Sequence, residues 1–456
     1  MRDGQNGLDA LVKFTSPALL AFAVAAASAT QALAQASVSQ GRSKDAKARQ
    51  KLDVTLSSTE GYDRDLAPDA RSTVGLGGSE LAGYSTMLVG AADYSLQRSR
   101  VQIRATGTSA LRYYRPLEGL LSSYYKSVSH TAGVGVSARL ASRTTLLVNQ
   151  TATYSPSYLY NLFARPTVAG PGDAPLAAPD YAMRGSETQS YGTSMTLTHD
   201  VMRRSSFSAL AEYQYTETAG QTADRRELNS YGVRGQVSRR LARNTVVTAG
   251  YLYRLSEVGR ASGATTGQAL AEQRIDIGVD YGRALTATRR IALGARVGSS
   301  TMRLKESAEG VGATGRHYSR LFGQLTLGYE FRRGWQARAA YLRGVEYVAG
   351  LSEPVSRDSV TASIDGSLTR HVNVLASAGY SIGESALNRS SSTFETYTGD
   401  ARLRYAPTRT FAAYVEYLYY FYDSRGSTPI APGIPAGLER SGTRVGLTVS
   451  VPVLRR

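Results

Sequence analysis

The chain has 456 residues with no cysteine, 45 glycines, 30 tyrosines and a single tryptophan. The absence of cysteine excludes a disulfide framework, a thiolate metal site and attachment of a lipid to an N-terminal cysteine. The formal net charge is +17, but the arginines are scattered over turns and polar strand faces, without a basic helix or a zinc-ligand spacing. We therefore expect no nucleic-acid partner.

Residues 1–36 have the pattern of a secretory signal peptide. Lys13 precedes the apolar run 14–27, and residues 34–36 supply small side chains at the expected cleavage positions. The alternative is an N-terminal membrane anchor, although the run is shorter than the roughly 18 residues that a spanning helix needs. The polar, basic residues 37–50 predict a short periplasmic tail.

The segment 228–257 predicts one β-hairpin. Tyr231 and Val233 fall on one face of a strand with a period of two residues, and Arg234 falls on the other. After a basic turn at 239–244 the alternation resumes, and each arm has about the 9–11 residues of a transmembrane strand. A soluble sandwich could show the same alternation, so one hairpin does not decide between them.

Similar hairpins recur to the end of the chain, which favours the membrane interpretation. We predict strands around 51–60, 81–96, 99–114, 127–140, 144–156, 188–200, 205–217, 228–240, 245–257, 271–285, 290–304, 317–331, 335–348, 357–370, 373–385, 394–406, 410–423 and 440–453. The even count, with short turns at one end and longer loops at the other, predicts an all-β fold. This fold is a transmembrane antiparallel up-and-down β-barrel of about 18 strands, with 16–20 allowed, over residues 51–456 as one domain. The strand 51–60 pairs with 440–453 to close it. The longest loop, 157–187, contains four prolines and is a candidate to fold over the mouth; the alternative is a surface loop.

The alternation also predicts which side chains face lipid and which line the lumen. The expected lipid-facing residues are Val233, Val247, Tyr251, Leu293, Leu325 and Leu447. The expected lumen-lining residues are Arg104, Arg139, Arg234, Arg254, Arg296, Arg338, Arg402, Arg404, Glu212, Asp276 and Glu416. Such charges would cost several kcal/mol each in hydrocarbon, so we expect a wet, modestly positive wall. They either hydrate the interior or select anionic solutes.

Tyrosines concentrate near the predicted strand ends, which is typical of an aromatic girdle at the headgroup level. The predicted girdle includes Tyr113, Tyr114, Tyr154, Tyr213, Tyr215, Tyr251, Tyr253, Tyr419, Tyr420 and Tyr422. Ordinary sheet aromatics are the alternative.

The sequence predicts no catalytic, cofactor or metal residue. The four histidines, His130, His199, His317 and His371, belong to no metal-binding or nucleophile motif. We therefore expect a protein that is not an enzyme, although a triad assembled from distant strands is a formal alternative.

The leader, the short tail and the Tyr-, Gly- and Arg-rich hairpins resemble those of bacterial outer-membrane β-barrel proteins. More narrowly, the chain is similar to the porin-like barrels associated with exopolysaccharide export, in its size, in Tyr191 and Tyr231 followed by glycine, and in the terminal strand GTRVGLTVSVPV. The resemblance implies a conduit in the Gram-negative outer membrane that passes or exports polysaccharide. The implied partners are outer-membrane lipid, the barrel-assembly machinery and a periplasmic polysaccharide-export component. The alternatives are a general diffusion porin for small solutes and a non-transporting scaffold, an adhesin or receptor with functional loops.

Overall fold

The computed structural model describes residues 49–64, 82–116, 125–155, 187–219, 226–260, 268–305, 317–332, 334–346, 354–386, 393–425 and 437–455. They form eighteen strands: β1 (Arg49–Asp63), β2 (Gly83–Gln97), β3 (Val101–Pro116), β4 (Tyr125–Ala141), β5 (Thr144–Ser155), β6 (Glu187–Met202), β7 (Ser205–Ala219), β8 (Arg226–Ala242), β9 (Thr245–Arg260), β10 (Gln268–Ala284), β11 (Arg290–Lys305), β12 (His317–Arg332), β13 (Trp335–Glu346), β14 (Val355–Ser367), β15 (Val372–Ser385), β16 (Thr393–Tyr405), β17 (Phe411–Arg425) and β18 (Gly437–Arg455). The predicted leader, residues 1–36, and most of loop 157–187 lie outside the described residues.

The strands make one closed sheet. Each strand pairs antiparallel with its neighbours in the chain, and β1 also pairs with β18, for example Thr55 opposite Ser450. Closure satisfies the backbone N–H and C=O groups that an open edge would leave unpaired. The predicted antiparallel barrel and its strand count are confirmed. Within the part of the chain that the structure describes, no helix is long and apolar enough to cross a bilayer.

The barrel has two different ends. At one end, eight connections of two to five residues join β2 to β3, β4 to β5 and so on to β16 and β17; we call this the turn end. Arg49 of β1 and Arg455 of β18 also lie there. Gly334 in the β12–β13 turn has φ +79°, a left-handed conformation that glycine adopts without strain. The other end carries the longer connections, and we call it the loop end.

Apolar side chains cover the outer wall. On β10, Ile275 is 66% exposed and Ile277 is 56% exposed, whereas Asp276 between them is 2% exposed. Side chains on the convex face of a barrel diverge, whereas those on the concave face crowd together, so the apolar set faces outward. Of the predicted lipid-facing residues, five are exposed and Val247 shares the face of one of them, Tyr251.

Aromatic rings gather on the outer wall near both ends. Toward the loop end, the ring centroids of Tyr213 and Tyr231 are 5.0 Å apart and those of Tyr380 and Tyr397 are 4.9 Å apart. At the turn end, Phe331 lies 5.9 Å from Trp335. Three members of the predicted girdle were assigned wrongly, because they point inward and are 4% exposed or less: Tyr114, Tyr420 and Tyr422. Consecutive residues of a strand face opposite sides, so only one of two adjacent tyrosines can reach the outer wall.

Candidate functional site: the charged inner wall

The charged residues predicted from the alternation share one face of the sheet. This is the inner wall, opposite the exposed apolar residues: Arg104, Arg139, Arg234, Arg254, Arg296, Arg338, Arg402, Arg404, Glu212, Asp276 and Glu416. Their contacts divide them into a closed ion-pair network on β7–β11, a second network near β17–β1, and more exposed charges toward the turn end.

Glu272 is the centre of the first network, and its side chain is fully buried. One of its carboxylate oxygens, Oε1, accepts hydrogen bonds of 2.7 Å from Arg274 Nη2 and 2.7 Å from Ser300 Oγ. The other, Oε2, lies 3.4 Å from Arg254 Nη1, and Arg254 Nη2 also donates to Glu212 Oε1 at 2.7 Å. A buried carboxylate is tolerated only when it is paired and hydrogen-bonded in this way.

Asp276 organises the neighbouring group. Its side chain is 1% exposed, and its Oδ1 accepts a 2.7 Å hydrogen bond from Arg234 Nη2. The Nε of Arg296 lies 3.5 Å from the same oxygen. The two groups together bring four arginines against three carboxylates, namely Arg234, Arg254, Arg274 and Arg296 against Glu212, Glu272 and Asp276.

Two of these ion pairs cross an intervening strand at a glycine. The pair Arg234–Asp276 joins β8 to β10 over Gly250 of β9, where a Cβ atom would lie 2.7 Å from Arg234 Nη2. The pair Arg254–Glu212 joins β9 to β7 over Gly232 of β8, where a Cβ atom would lie 2.6 Å from Glu212 Oε1. The missing side chain lets the charged groups lie flat against the wall.

The second network lies where β1 pairs with β2 and β18. Asp63 accepts hydrogen bonds from Arg440 Nη2 at 2.8 Å and from Ser85 Oγ at 3.1 Å, and its side chain is 1% exposed. Nearby, Arg402 Nη2 donates to Glu416 Oε1 at 2.8 Å.

The same region contains a third contact that crosses an intervening strand. Tyr414 of β17 shares a 2.5 Å hydrogen bond with Thr59 of β1. Its ring passes over Gly446 of β18, where a Cβ atom would overlap it. A glycine on the intervening strand therefore lies under this aromatic contact, as it does under the two crossing ion pairs.

The charges toward the turn end are more open to solvent. Arg104 donates to Asp93 at 2.6 Å, with 45% and 38% of the two side chains exposed. Arg338 is 42% exposed beside Asp365. Arg139 is also exposed, and Arg404 is half-buried. Water therefore reaches the inner wall at this end, whereas the β7–β11 network is mostly buried.

Sequence reasoning missed three members of the networks: Glu272, Asp63 and Arg440. Each lies at or beyond the end of a predicted strand, where the alternation has too few neighbours to assign a face. Continuing the spacing of two from Asp276 back to Glu272 would have placed it on the inner wall.

The histidines do not gather in one place. Thr144 Oγ1 lies 2.9 Å from His199 Nδ1, and His371 Nδ1 lies 3.0 Å from the carbonyl oxygen of Ala406. His130 lies against the ring of Tyr154. Among the described residues, no group of three or more His, Cys, Asp or Glu residues could hold a metal ion.

The comparisons give only distant structural likenesses. OccK7 (OpdD) of Pseudomonas aeruginosa is 9% identical, with 90% of this chain and 100% of that chain covered, at a TM-score of 0.43. OccK11 (OpdR) of the same organism is 13% identical, with 89% and 96% covered, at 0.40. The FrpB iron transporter of Neisseria meningitidis, F5-1 variant, is 8% identical, with 88% and 81% covered, at 0.46. No protein-family model matches the sequence, and a search of the curated proteins finds no match. Because these TM-scores are low, the fold assignment rests on the chain's own strand pairing.

Proposed function

We propose that this protein is a passive conduit for small solutes across the outer membrane. The observation that carries the proposal is the contrast between the two walls of one closed sheet. The outer wall presents apolar residues such as Ile275, while Glu272 and Asp276 on the same strand pair with arginines inside. Charged groups are costly in hydrocarbon, so this arrangement suits lipid outside and water inside.

The strand count gives such a barrel room for a channel. Barrels of 16–18 strands are wide enough to leave an aqueous passage, whereas barrels of about 8 strands are filled by side chains. The ion pairs that lie over Gly232 and Gly250 keep long side chains against the wall. In the β7–β11 network the arginines exceed the carboxylates by one, and the exposed Arg139 adds positive charge near the turn end. We infer a preference for anions over cations.

Export of polysaccharide, the narrower expectation from the sequence, has no support from the structure or the comparisons. The inner-wall rings of Phe394, Tyr420 and Tyr422 are 4% exposed or less, and Phe394 stacks on Tyr422 with the ring centroids 6.4 Å apart. These three rings present no open face on which a sugar could stack. The small-solute conduit is therefore the better interpretation. A conductance measurement distinguishes it from a scaffold that conducts nothing.

The test is conductance of the purified protein in a planar bilayer, with the reversal potential measured in a salt gradient. We expect open channels whose reversal potential shows an anion preference. Arg338→Gln, on the exposed inner wall, should reduce that preference, and Arg343→Gln, on the outer wall of the same strand, should not. A folded barrel that never conducts would refute the conduit. Unchanged selectivity in Arg338→Gln would refute the assignment of the inner wall.

A further inference from the structure

Each of the eight short turns is basic. The connecting residues are 98–100, 142–143, 203–204, 243–244, 285–289, 333–334, 368–371 and 406–410, and each segment contains arginine but neither Asp nor Glu. The described turn arginines are exposed, for example Arg98, Arg143, Arg289 and Arg370. A hydrated turn needs no particular charge, so arginine in all eight indicates a common environment at this end.

An exposed apolar residue precedes the arginine in most of these turns. The clearest cases are 49–59% exposed and lie in the last residues of a strand or directly after it: Leu140, Val201, Leu241, Leu285 and Leu368. The arginine follows within two to four residues, as in Leu241 and Arg243 or Leu285 and Arg289. The turn end therefore carries a repeated pair, an exposed apolar side chain followed by a cation. We call this ring of pairs the turn rim.

The outer wall at the loop end has a different character. There, tyrosine hydroxyl groups donate to carboxylates, as in Tyr215 to Glu217 at 3.0 Å and Tyr341 to Asp358 at 2.8 Å. A third case is Tyr380, which donates to Glu395 at 3.0 Å. The loop end also has exposed arginines on its outer wall, but carboxylates lie among them, whereas the eight turn segments contain arginine and neither Asp nor Glu.

We propose that the turn rim binds the headgroups of anionic phospholipids in the membrane leaflet that surrounds the turn end. This inference rests on the proposed position of the barrel in a membrane. The apolar residue of each pair fits the boundary of the hydrocarbon, as do Phe331 and Trp335 at the same end. The arginine, a few residues further along, then lies at the depth of the phosphates, whose oxygens a guanidinium group binds with two parallel hydrogen bonds.

The chain contains its own reporter for this surface. Trp335 is the only tryptophan, and it begins β13 immediately after a basic turn. Its indole N–H donates to the carbonyl oxygen of Ser367 at 3.0 Å, which ties the ring to the end of β14, where the turn containing Leu368 and Arg370 begins. Quenching of its fluorescence by brominated lipid therefore reports which lipids occupy the turn rim.

The experiment places the full chain in phosphatidylcholine vesicles at low salt, with brominated phosphatidylglycerol or brominated phosphatidylcholine as the quencher. We expect stronger quenching by phosphatidylglycerol at equal mole fraction. The triple variant Arg243→Gln, Arg289→Gln and Arg370→Gln should lose most of this preference. Each arginine that contacts the bound lipid should account for at most about a fivefold change. Arginine-to-lysine changes at the same positions should retain most of it, and added NaCl should weaken it in the unmodified protein.

The matched control removes three exposed arginines from the outer wall at the loop end: Arg115→Gln, Arg303→Gln and Arg343→Gln. It should keep the preference, because these residues are far from the turn rim. Equal quenching by the two lipids in the unmodified protein, or equal losses in the two triple variants, would overturn the inference. Heat-modifiable gel migration checks that each variant is folded. Conductance of the same preparations separates the two proposals: a conducting barrel without lipid preference refutes only the turn rim, and a non-conducting barrel with the preference refutes only the conduit.

Discussion

Gly250→Ala tests whether the glycines under the crossing ion pairs are required. The added Cβ atom would lie 2.7 Å from Arg234 Nη2 and 3.2 Å from Asp276 Oδ1, so the pair must lift away from β9 or separate. Loss of a hydrogen bond between charged groups costs about 1.5–3 kcal/mol. Replacing glycine by alanine in an extended strand also stabilises the protein by about 0.4–1 kcal/mol, because alanine lowers the conformational entropy of the unfolded chain. We therefore expect a net loss of about 1–2 kcal/mol in the free energy of unfolding.

The control for this change is Gly235→Ala on the outer wall of β8. There the nearest atom to an added Cβ is Phe207 Cε2 at 3.9 Å, an ordinary van der Waals contact. We expect this variant to stay within ~0.5 kcal/mol of the unmodified protein or to be slightly more stable. Denaturant unfolding from lipid vesicles, followed by Trp335 fluorescence, measures both. If Gly250→Ala is as stable as Gly235→Ala, the ion pair does not depend on the glycine and the reasoning is wrong.

Two further predictions concern the two faces of the wall. Lysine at Leu325, which is 53% exposed on the outer wall, should destabilise the folded barrel in lipid by ~2–4 kcal/mol if the site is near the midplane. Lysine at Ser238 on the inner wall should have a small effect. Equal losses of stability in the two variants would contradict the assigned faces. Because the chain has no cysteine, single introduced cysteines can probe the conduit directly with a charged thiol reagent. Ser238→Cys should react quickly, and Ser256→Cys, at a fully buried site, should react slowly. Val237→Cys on the outer wall should not react when the barrel is in lipid. Rapid labelling at all three positions would show that the barrel is not intact.

The strand order could be predicted from the sequence because the outer wall must be apolar wherever it meets lipid. That requirement produces the alternation on β18, with Val445, Leu447 and Val449 facing outward. The positions of the strand ends were predicted less accurately. The strand β10 begins at Gln268 and β18 at Gly437, each three residues before its predicted start, because strands that extend beyond the hydrocarbon no longer need apolar residues on one face.

The ion-pair partners could not be predicted from the sequence. Arg234 pairs with Asp276, which is 42 positions away and two strands across the sheet. That pairing depends on the stagger between strands and on Gly250 between the two side chains. Alternation gives the face of each residue but contains neither piece of information. The sequence therefore predicted which charges share the inner wall, and only the structure shows which of them neutralise each other.

Burial along the inner wall indicates where a conduit of this kind would discriminate between solutes. The largest fully buried side chains of the described residues all lie within five positions of the loop end of their strands: Thr59, Asp63, Ser256, Glu272, Met302, Ser381, Phe394, Thr396 and Tyr422. Arg104 and Arg338, near the turn end, keep more than 40% of their side chains in solvent. A charge acts most strongly on a passing ion where little water separates them, since water screens the interaction. The turn end would then be a hydrated vestibule that attracts anions, and the packed wall near the loop end, which includes Glu272 with its arginines, would set the size and charge of what passes.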